Sequence, residues 1–177
     1  MADARLWLYR FVSIDAATGL PAQCDVYRAV EGAIVYAYAA TGVPAATPAV
    51  ELVCTLDVPG ASAGVDAPWH YVVETDVLPE AEAELNAWYD EEHLPALAAV
   101  PGVVRARRLL NPTGSPRYHA AYDLASMDAF GSPPWLAVRA TPWSSRVRPA
   151  FRNTRRTMFQ RVSLGFPHGS QGRECRP

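Results

Sequence analysis

The chain has 177 residues, half of them apolar, with 16 basic and 18 acidic residues and a formal net charge of −2. That length and apolar content suffice for one ordinary domain plus an additional segment. No apolar run reaches about eighteen residues, and the start lacks a basic leader with a long apolar stretch, so neither a membrane span nor a signal peptide is predicted. We therefore expect a cytoplasmic location.

The charged residues are distributed unevenly. All of the basic residues are arginine, which excludes Schiff-base catalysis through a lysine. Residues 71–104 hold eight acidic residues and no arginine, whereas residues 139–177 hold nine arginines against Glu174 alone. Pairing between an acidic helix and a basic strand explains this pattern more simply than nucleic-acid binding does. No nucleic-acid partner is predicted.

The sequence contains no recognisable cofactor or metal motif. Cys24, Cys54 and Cys175 are far apart and outside any metal-ligand spacing, so neither a disulfide framework nor a zinc site is indicated. A glycine-rich dinucleotide fingerprint, a phosphate-binding loop and a serine nucleophile elbow are also missing. We therefore predict no cofactor and no metal.

The first 66 residues are predicted to be an N-terminal extension or a degenerate half-domain. Residues 6–14 and 50–58 have the composition of strands, and residues 22–40 suit a helix. Together they predict a β-α-β-like unit that serves as a lid or as an extension of the sheet.

Residues 67–164 show a well-marked β-α-β-β-α-β pattern, which is the split βαβ arrangement of a ferredoxin-like α+β domain. Ser126 or Asp128 is predicted to cap the second helix. Residues 165–177 are polar and are predicted to form a disordered tail. The predicted elements are strand 70–77, helix 80–99, strand 103–110, strand 117–124, a helix ending near residue 140, and strand 154–164.

The segment WYDEEHLP, residues 88–95, carries the chemistry on the first of these helices. Helical spacing places Glu92 within an otherwise apolar stripe and His93 at its edge, so the carboxylate must be paired, hydrogen-bonded or shifted in pKa. In a structural interpretation, Glu92 pairs with an arginine of the sheet and His93 caps its helix. In a functional one, His93 is a general acid/base that Glu92 or Asp90 orients. Pro95 tends to end or bend the helix nearby.

The second part of the chain resembles the EthD-like branch of the dimeric α+β-barrel superfamily, over about residues 68–164. The segments that carry the resemblance are YVVETD (71–76), WYDEEHLP (88–95), VPG (100–102), RY (117–118), TPW (141–143) and RR (155–156). Members of this superfamily include cofactor-free monooxygenases, polyketide cyclases, isomerases, decarboxylating enzymes and proteins of no known activity. The resemblance therefore implies a fold and leaves the reaction open.

The resemblance implies that two ferredoxin-like sheets pair into a barrel, and hence a homodimer. It also implies a pocket between each sheet and its helices, faced by the His-x-Pro of the first helix, here His93 and Pro95. The first 66 residues depart from this pattern. They are expected to cover the pocket mouth, to supply the second half of a pseudo-barrel, or to obstruct dimerisation.

Other candidate site residues come from the predicted strand faces. Arg108 shares the inward face of its strand with apolar residues, and it is expected to pair with Glu92 or to bind a substrate carboxylate or enolate. His119 is expected outside the pocket or at a barrel interface. Aromatic side chains are predicted to line the cavity and to favour a flat, partly apolar ligand: Trp88, Tyr89, Tyr118, Tyr122, Trp135 and Trp143.

Three functions fit these residues. The first is a cofactor-independent cyclase, isomerase or lyase that moves protons on a carbonyl-containing or aromatic, polyketide-like metabolite, with His93 as acid/base and Arg108 holding negative charge. In it, Tyr89, Tyr118 or Tyr122 donates a hydrogen bond to the substrate oxygen. The second is a cofactor-free monooxygenase of an electron-rich phenol or enol. The third is a non-catalytic ligand-binding or assembly protein.

Overall fold

The computed structural model describes residues 4–17, 20, 23–42 and 48–163. Eight strands form a single closed barrel in which every neighbouring pair is antiparallel. The strands are β1 (Ala4–Phe11), β2 (Asp25–Ala29), β3 (Val35–Ala39), β4 (Ala49–Pro59), β5 (Trp69–Val77), β6 (Val103–Leu110), β7 (Tyr118–Leu124) and β8 (Phe151–Val162).

The two halves of the barrel repeat one spatial order of strands. The second half runs β8-β5-β7-β6, and the first half runs β4-β1-β3-β2, so each half has the order fourth-first-third-second. The halves join where β2 pairs with β8 and where β4 pairs with β6. The barrel therefore closes within one chain, and the N-terminal strands supply its second half. A homodimer stays a prediction that barrel closure does not require.

The predicted helix at residues 22–40 is wrong, because β2 and β3 occupy this region as an antiparallel hairpin. Gly32, at the turn, has a φ of 84°, a conformation that glycine adopts without strain. All five residues of β3 are buried, so both of its faces are covered and the strand lacks the polar alternation of a half-exposed one. The N-terminal part is consequently four strands rather than a β-α-β-like unit.

The second half has the predicted β-α-β-β-α-β order and makes the fold α+β. Its helical elements are α1 (Glu82–Trp88), α2 (Leu94–Ala98), α3 (Pro133–Arg139) and α4 (Pro142–Val147). Ser126 caps only a 3-10 turn, whereas Ser132 caps α3 by accepting a hydrogen bond from the Trp135 amide. In the part of the chain that the structure describes, no helix is both long and apolar enough to span a membrane.

The second-half sheet packs on both of its faces. Tyr71, Ala106 and Tyr122 point outward into a core shared with the four helices. The intervening residues, including Val72, Leu109 and Ala121, point into the barrel and pack with residues of the first half. His119 also lies inside the barrel, fully buried, with Nδ1 3.6 Å from Glu74 Oε1. Only the outward face opens toward the helices, and it carries the candidate site.

Candidate active site

A π-helical turn at Tyr89–His93 joins α1 to α2. Its defining hydrogen bond runs from the Leu94 amide to the carbonyl oxygen of Tyr89, five residues earlier. Proline in an α-helix lacks the N–H that would bond to residue i−4 and collides with that carbonyl, so the wider turn before Pro95 relieves a conflict. Helical structure continues through α2 to Ala98, in agreement with the predicted helix 80–99, so Pro95 does not end the helix and His93 does not lie at its terminus.

The wide turn brings the side chains of Trp88 and His93 together. Residues five apart in an α-helix point in directions that differ by about 140°, whereas here the two rings stack with centroids 4.0 Å apart and planes 22° from parallel. Tyr89 meets the same imidazole edge-on at 5.3 Å. Single π turns are frequent at functional sites, and this one holds an imidazole between aromatic rings.

His93 lines a cavity between the helices and the outer face of the sheet. The void between the lining side chains is about 30 Å³, which accommodates one or two water molecules. Six of the lining residues are aromatic: Tyr71, Trp88, Tyr89, Tyr122, Trp135 and Phe151. Four of the predicted ligand-binding residues thus surround it. A larger ligand enters only when at least one lining side chain changes rotamer.

The environment of His93 keeps its imidazole neutral at pH 7. Burial is the larger cause and the nearby charges of Arg148, Arg139 and Arg108 add to it, and together they lower the pKa of His93 from 6.5 to about 3. Nδ1 is buried and has no hydrogen-bond partner among the described residues. No described carboxylate lies within hydrogen-bond or ion-pair distance of the ring. The predicted orientation of His93 by Glu92 or Asp90 is therefore wrong.

Glu92 instead ties the π turn to α4. It accepts a hydrogen bond from Thr141 Oγ1 at 2.6 Å, and the same oxygen caps α4 by accepting from the Ser144 amide at 3.1 Å. The predicted ion pair between Glu92 and Arg108 is wrong, because the wide turn directs Glu92 toward α4 and away from the sheet. Asp90 is exposed and lies on a different groove.

Arg108 is only 2% exposed and lies between two tyrosine rings. Its guanidinium carbon is 3.7 Å from the ring centroid of Tyr89 and 4.5 Å from that of Tyr118. Nη2 donates to Asn86 Oδ1 at 3.4 Å, and Nη1 has no partner among the described residues. Arg108 opens onto a second groove of about 310 Å³. Because Tyr89 lies between this groove and the His93 cavity, Arg108 is not placed to hold a ligand at His93.

The two remaining aromatic candidates lie away from the cavity. The Tyr118 hydroxyl donates to Glu82 and faces the second groove. Trp143 is half-buried at the edge of the core and is not among the residues that line the His93 cavity. Tyr122, by contrast, lines the cavity with a buried hydroxyl that has no partner among the described residues. Burial raises its pKa well above 10, so it stays protonated.

Sequence reasoning missed the arginines at the mouth of the cavity. Arg139 comes from the end of α3, Arg148 follows α4, and Arg156 lies on β8. None of the three has a carboxylate within 4.0 Å in the described part of the chain. Burial lowers the pKa of Arg148, and so do the like charges of Arg139 and Arg156. The arginine excess after residue 139 was the available signal, and it had been attributed to pairing with the acidic helix.

Among the described arginines from residue 139 onward, only Arg146 pairs with a carboxylate of the acidic helix. Arg146, two residues before Arg148, donates from Nε to Glu84 Oε1 at 2.7 Å. The three cavity arginines face no such group.

Within the described residues, no set of three or more His, Cys, Asp and Glu side chains is placed to hold a metal ion.

The comparisons with known proteins show the fold. No family model matches the chain, and no curated protein matches its sequence. Solved structures do match. A putative monooxygenase from Fusobacterium nucleatum has a TM-score of 0.62 at 11% identity, covering 92% of this chain and 94% of that one. A ferredoxin-fold protein related to antibiotic biosynthesis monooxygenases, from Listeria monocytogenes, has a TM-score of 0.60 at 11% identity, covering 90% and 95%.

An anthrone oxidase-like protein is similar as well, with a TM-score of 0.59 at 15% identity, covering 91% of this chain and 92% of that one. Likeness at such low identity extends to the fold alone, since one fold hosts many activities. The chain therefore has the ferredoxin-type α+β fold of these solved structures.

Proposed function

We propose that this protein is a small-molecule enzyme of the EthD-like type that moves a proton on a carbonyl-containing or phenolic, polyketide-like metabolite, as cyclases, isomerases and lyases do. One observation carries the proposal: a neutral imidazole lies in an aromatic cavity whose mouth holds three arginines without carboxylate partners. A neutral base beside fixed positive charge suits the removal of a proton from a weak acid and the stabilisation of the anion that forms.

His93 is the proposed base. Its Nδ1 is sealed in the protein without a partner, which leaves Nε2 as the nitrogen for a substrate. With the ring proton on Nδ1, the lone pair of Nε2 accepts a proton from the acidic carbon or hydroxyl of the substrate. The stack on Trp88 fixes the plane of the ring in place of the orienting carboxylate that many catalytic histidines have.

Tyr122 is the proposed hydrogen-bond donor to the substrate oxygen. Its hydroxyl is buried in the cavity without a partner among the described residues, and burial raises its pKa well above 10, so it is protonated at neutral pH. A donor that is already in place gains strength as negative charge develops on the oxygen that it faces. The substrate proton is transferred to His93, and the negative charge that remains on the substrate is stabilised by Tyr122 and the arginines.

Deuterium exchange tests this assignment without knowledge of the natural substrate. The protein is incubated in heavy water with cyclic diketones and polyhydroxylated aromatic compounds, and loss of the acidic proton signal is followed by NMR. We expect the wild type to accelerate exchange and His93→Gln to reduce the acceleration about a hundredfold or more. Exchange at the wild-type rate in His93→Gln would contradict the assignment.

A pair of tyrosine variants supplies the matched control. Tyr122→Phe removes the donor in the cavity, and we expect it to slow exchange at least roughly tenfold. Tyr118→Phe makes the same chemical change on the same strand but on the second groove. It should exchange at nearly the wild-type rate, and equal losses in both variants would indicate a general structural effect.

A cofactor-free monooxygenase is the second candidate. The likeness of the fold to a putative monooxygenase and to an anthrone oxidase-like protein favours it. The same deprotonation would give a carbanion or phenolate that reacts with dioxygen. Oxygen uptake during turnover supports this alternative, and full turnover under anaerobic conditions contradicts it.

A non-catalytic ligand-binding protein is the third candidate. It is favoured by the lack of an orienting carboxylate beside His93 and by the small void of about 30 Å³. It predicts that ligands raise the thermal midpoint of unfolding without any exchange or chemical change.

A further inference from the structure

We infer that the arginines Arg139, Arg148 and Arg156 form an anion-binding site at the mouth of the His93 cavity, and that the ligand is a planar aromatic compound bearing a carboxylate. This inference rests on the proposed function in one respect, since it names the substrate class of the same cavity. The binding that it predicts is nevertheless measurable without turnover.

The site carries a positive charge that no described carboxylate balances. Three guanidinium groups line one cavity, and the described part of the chain offers none of them a carboxylate within 4.0 Å. His93 adds no negative charge, because it is neutral. Like charges that share a half-enclosed space repel one another, and the lowered pKa of Arg148 reflects that repulsion together with burial. An anion placed there relieves the repulsion.

The cavity arginines differ from nearby arginines in their surroundings. Arg146 projects from the same helical segment as Arg148 but is exposed and paired with Glu84. Arg155 and Arg156 are consecutive on β8, so their side chains point to opposite faces of the sheet. The cavity arginines are thus set apart by position, and two of them, Arg148 and Arg156, have a neighbouring arginine that serves as a control.

The space that adjoins the arginines is lined by aromatic side chains. Behind the arginines the cavity walls are aromatic rings, including those of Tyr71, Trp135 and Phe151. Guanidinium groups bind planar carboxylates through two parallel hydrogen bonds, and aromatic walls favour a flat apolar body. A flat ring with a carboxylate at its edge satisfies both parts of the site. The void beside His93 then admits the ring only after a wall side chain changes rotamer.

A bound anion also affects the proposed base, His93. A base with a pKa of about 3 is weak while the cavity is empty. Two of the charges that lower this pKa, Arg148 and Arg139, belong to the anion site. A bound carboxylate offsets their field and raises the pKa of His93, so that binding of the anionic group prepares the base.

The experiment uses benzoate, benzamide and phenyl phosphate as probes of the intact protein, with binding followed by NMR of the tryptophan indole N–H groups and by the thermal midpoint of unfolding. We expect benzoate to bind, benzamide to bind at least about tenfold more weakly, and benzoate binding to weaken as salt is raised. Equal binding of benzoate and benzamide would overturn the inference. Tighter binding of phenyl phosphate than of benzoate would overturn the carboxylate assignment.

Arginine variants locate the site. Arg148→Gln and Arg156→Gln should each weaken benzoate binding by roughly tenfold or more, the effect of losing a charge-assisted hydrogen bond. The controls Arg146→Gln and Arg155→Gln should bind as the wild type does. Both cavity variants remove a repelled charge and should keep the thermal midpoint of the wild type, so a loss of binding is not a loss of folding. Wild-type binding in Arg148→Gln and Arg156→Gln would overturn the inference.

His93→Gln separates this inference from the proposed function. In that variant we expect benzoate to bind while deuterium exchange is lost. If benzoate binds the wild type through the arginines but no probe is ever exchanged, the acid/base function fails and the anion site stands. If exchange occurs and the arginine variants bind benzoate normally, the anion site fails and the function stands.

Discussion

The imidazole of His93 stacks on the indole of Trp88 at a centroid distance of 4.0 Å, although the two residues are five positions apart on one helical segment. Only the π turn at Tyr89–His93 makes this contact possible. The stacking contact sets the plane of the His93 ring, a role that a hydrogen bond to a carboxylate would otherwise have. The stack is therefore the feature that determines where a base at His93 points.

Substitution of Trp88 tests that role. Trp88→Phe retains an aromatic ring but reduces the stacked area, and we expect the free energy of unfolding to fall by about 1–3 kcal/mol. Proton exchange catalysed by His93 should slow more than this loss of stability explains, because the ring is less constrained. Urea unfolding and deuterium exchange measure the two effects. Trp143→Phe, at the edge of the core, is the control and should leave exchange unchanged.

The contact between Glu92 and Thr141 leads to a second prediction. Thr141→Val removes both the hydrogen bond to Glu92 and the cap of α4. Loss of a cap and of a charge-assisted bond should lower the free energy of unfolding by about 2–4 kcal/mol. Thr141→Ser keeps the hydroxyl and should lose much less. Equal losses in the two variants, measured by urea unfolding, would show that the methyl group rather than the hydroxyl matters.

Glu92 itself should be dispensable for chemistry. Glu92→Gln keeps an acceptor for Thr141 and removes the charge, and the Glu92 carboxylate makes no hydrogen bond or ion pair with the His93 imidazole. We therefore expect deuterium exchange within about twofold of the wild-type rate, since a direct partner of a general base typically contributes far more. A loss comparable with that of His93→Gln would restore Glu92 as a partner of the base.

For Arg108 we predict that removal of the charge does not lower the free energy of unfolding. Its charge is buried between two tyrosine rings and has no carboxylate partner among the described residues. Arg108→Met removes a desolvated charge and keeps most of the packing, so the free energy of unfolding should change little or rise. Arg108→Ala also leaves a cavity and should cost several kcal/mol, on the order of other large-to-small core changes. A large loss in Arg108→Met, measured by urea unfolding, would show that the charge stabilises the fold.

The second half of the fold could be predicted from the sequence because the periodicities of its strands and helices are clear. The alternation of Tyr118 and Tyr122 with His119 placed the tyrosines toward the helices and His119 away from them, as the structure has them. The hairpin of β2 and β3 was not accessible in the same way. Its strand β3 is buried on both faces, and such a strand lacks the period of two that distinguishes a strand from a helix.

The candidate site was predicted only in part, for two physical reasons. Periodicity assumes an α-helix through Glu92, and the π turn shifts every later side chain, which explains the wrong pairing with Arg108. The cavity arginines come from three segments separated in sequence, Arg139, Arg148 and Arg156, so no local pattern groups them. What they share is the lack of a carboxylate partner among the described residues, and only the three-dimensional structure reveals this.

Stability should also fall with acid, because two histidines are buried in their neutral form. Burial lowers the pKa of His93 from 6.5 to about 3 and that of His119 to about 4. Between these values and 6.5 the unfolded chain binds protons that the folded chain does not. Their contribution to stability is therefore fully present above pH 6.5 and is lost as the pH falls through that window, by up to about 1.4 kcal/mol per pH unit for each histidine.

Urea unfolding between pH 7 and pH 4.5 measures how the free energy of unfolding depends on pH, and histidine variants show how much each histidine contributes. His93→Gln and His119→Gln should each reduce the slope by about one histidine's share, and the double variant should flatten it. The carboxyl pKa of Asp123 is lowered despite burial by its hydrogen bond to His70, so its contribution is lost only below its ordinary value of 3.8, outside this range. If benzoate raises the pKa of His93, it should also reduce the slope of the wild type and leave that of His93→Gln unchanged. A slope that is the same in the wild type and in His93→Gln would mean that His93 is not held neutral by its surroundings.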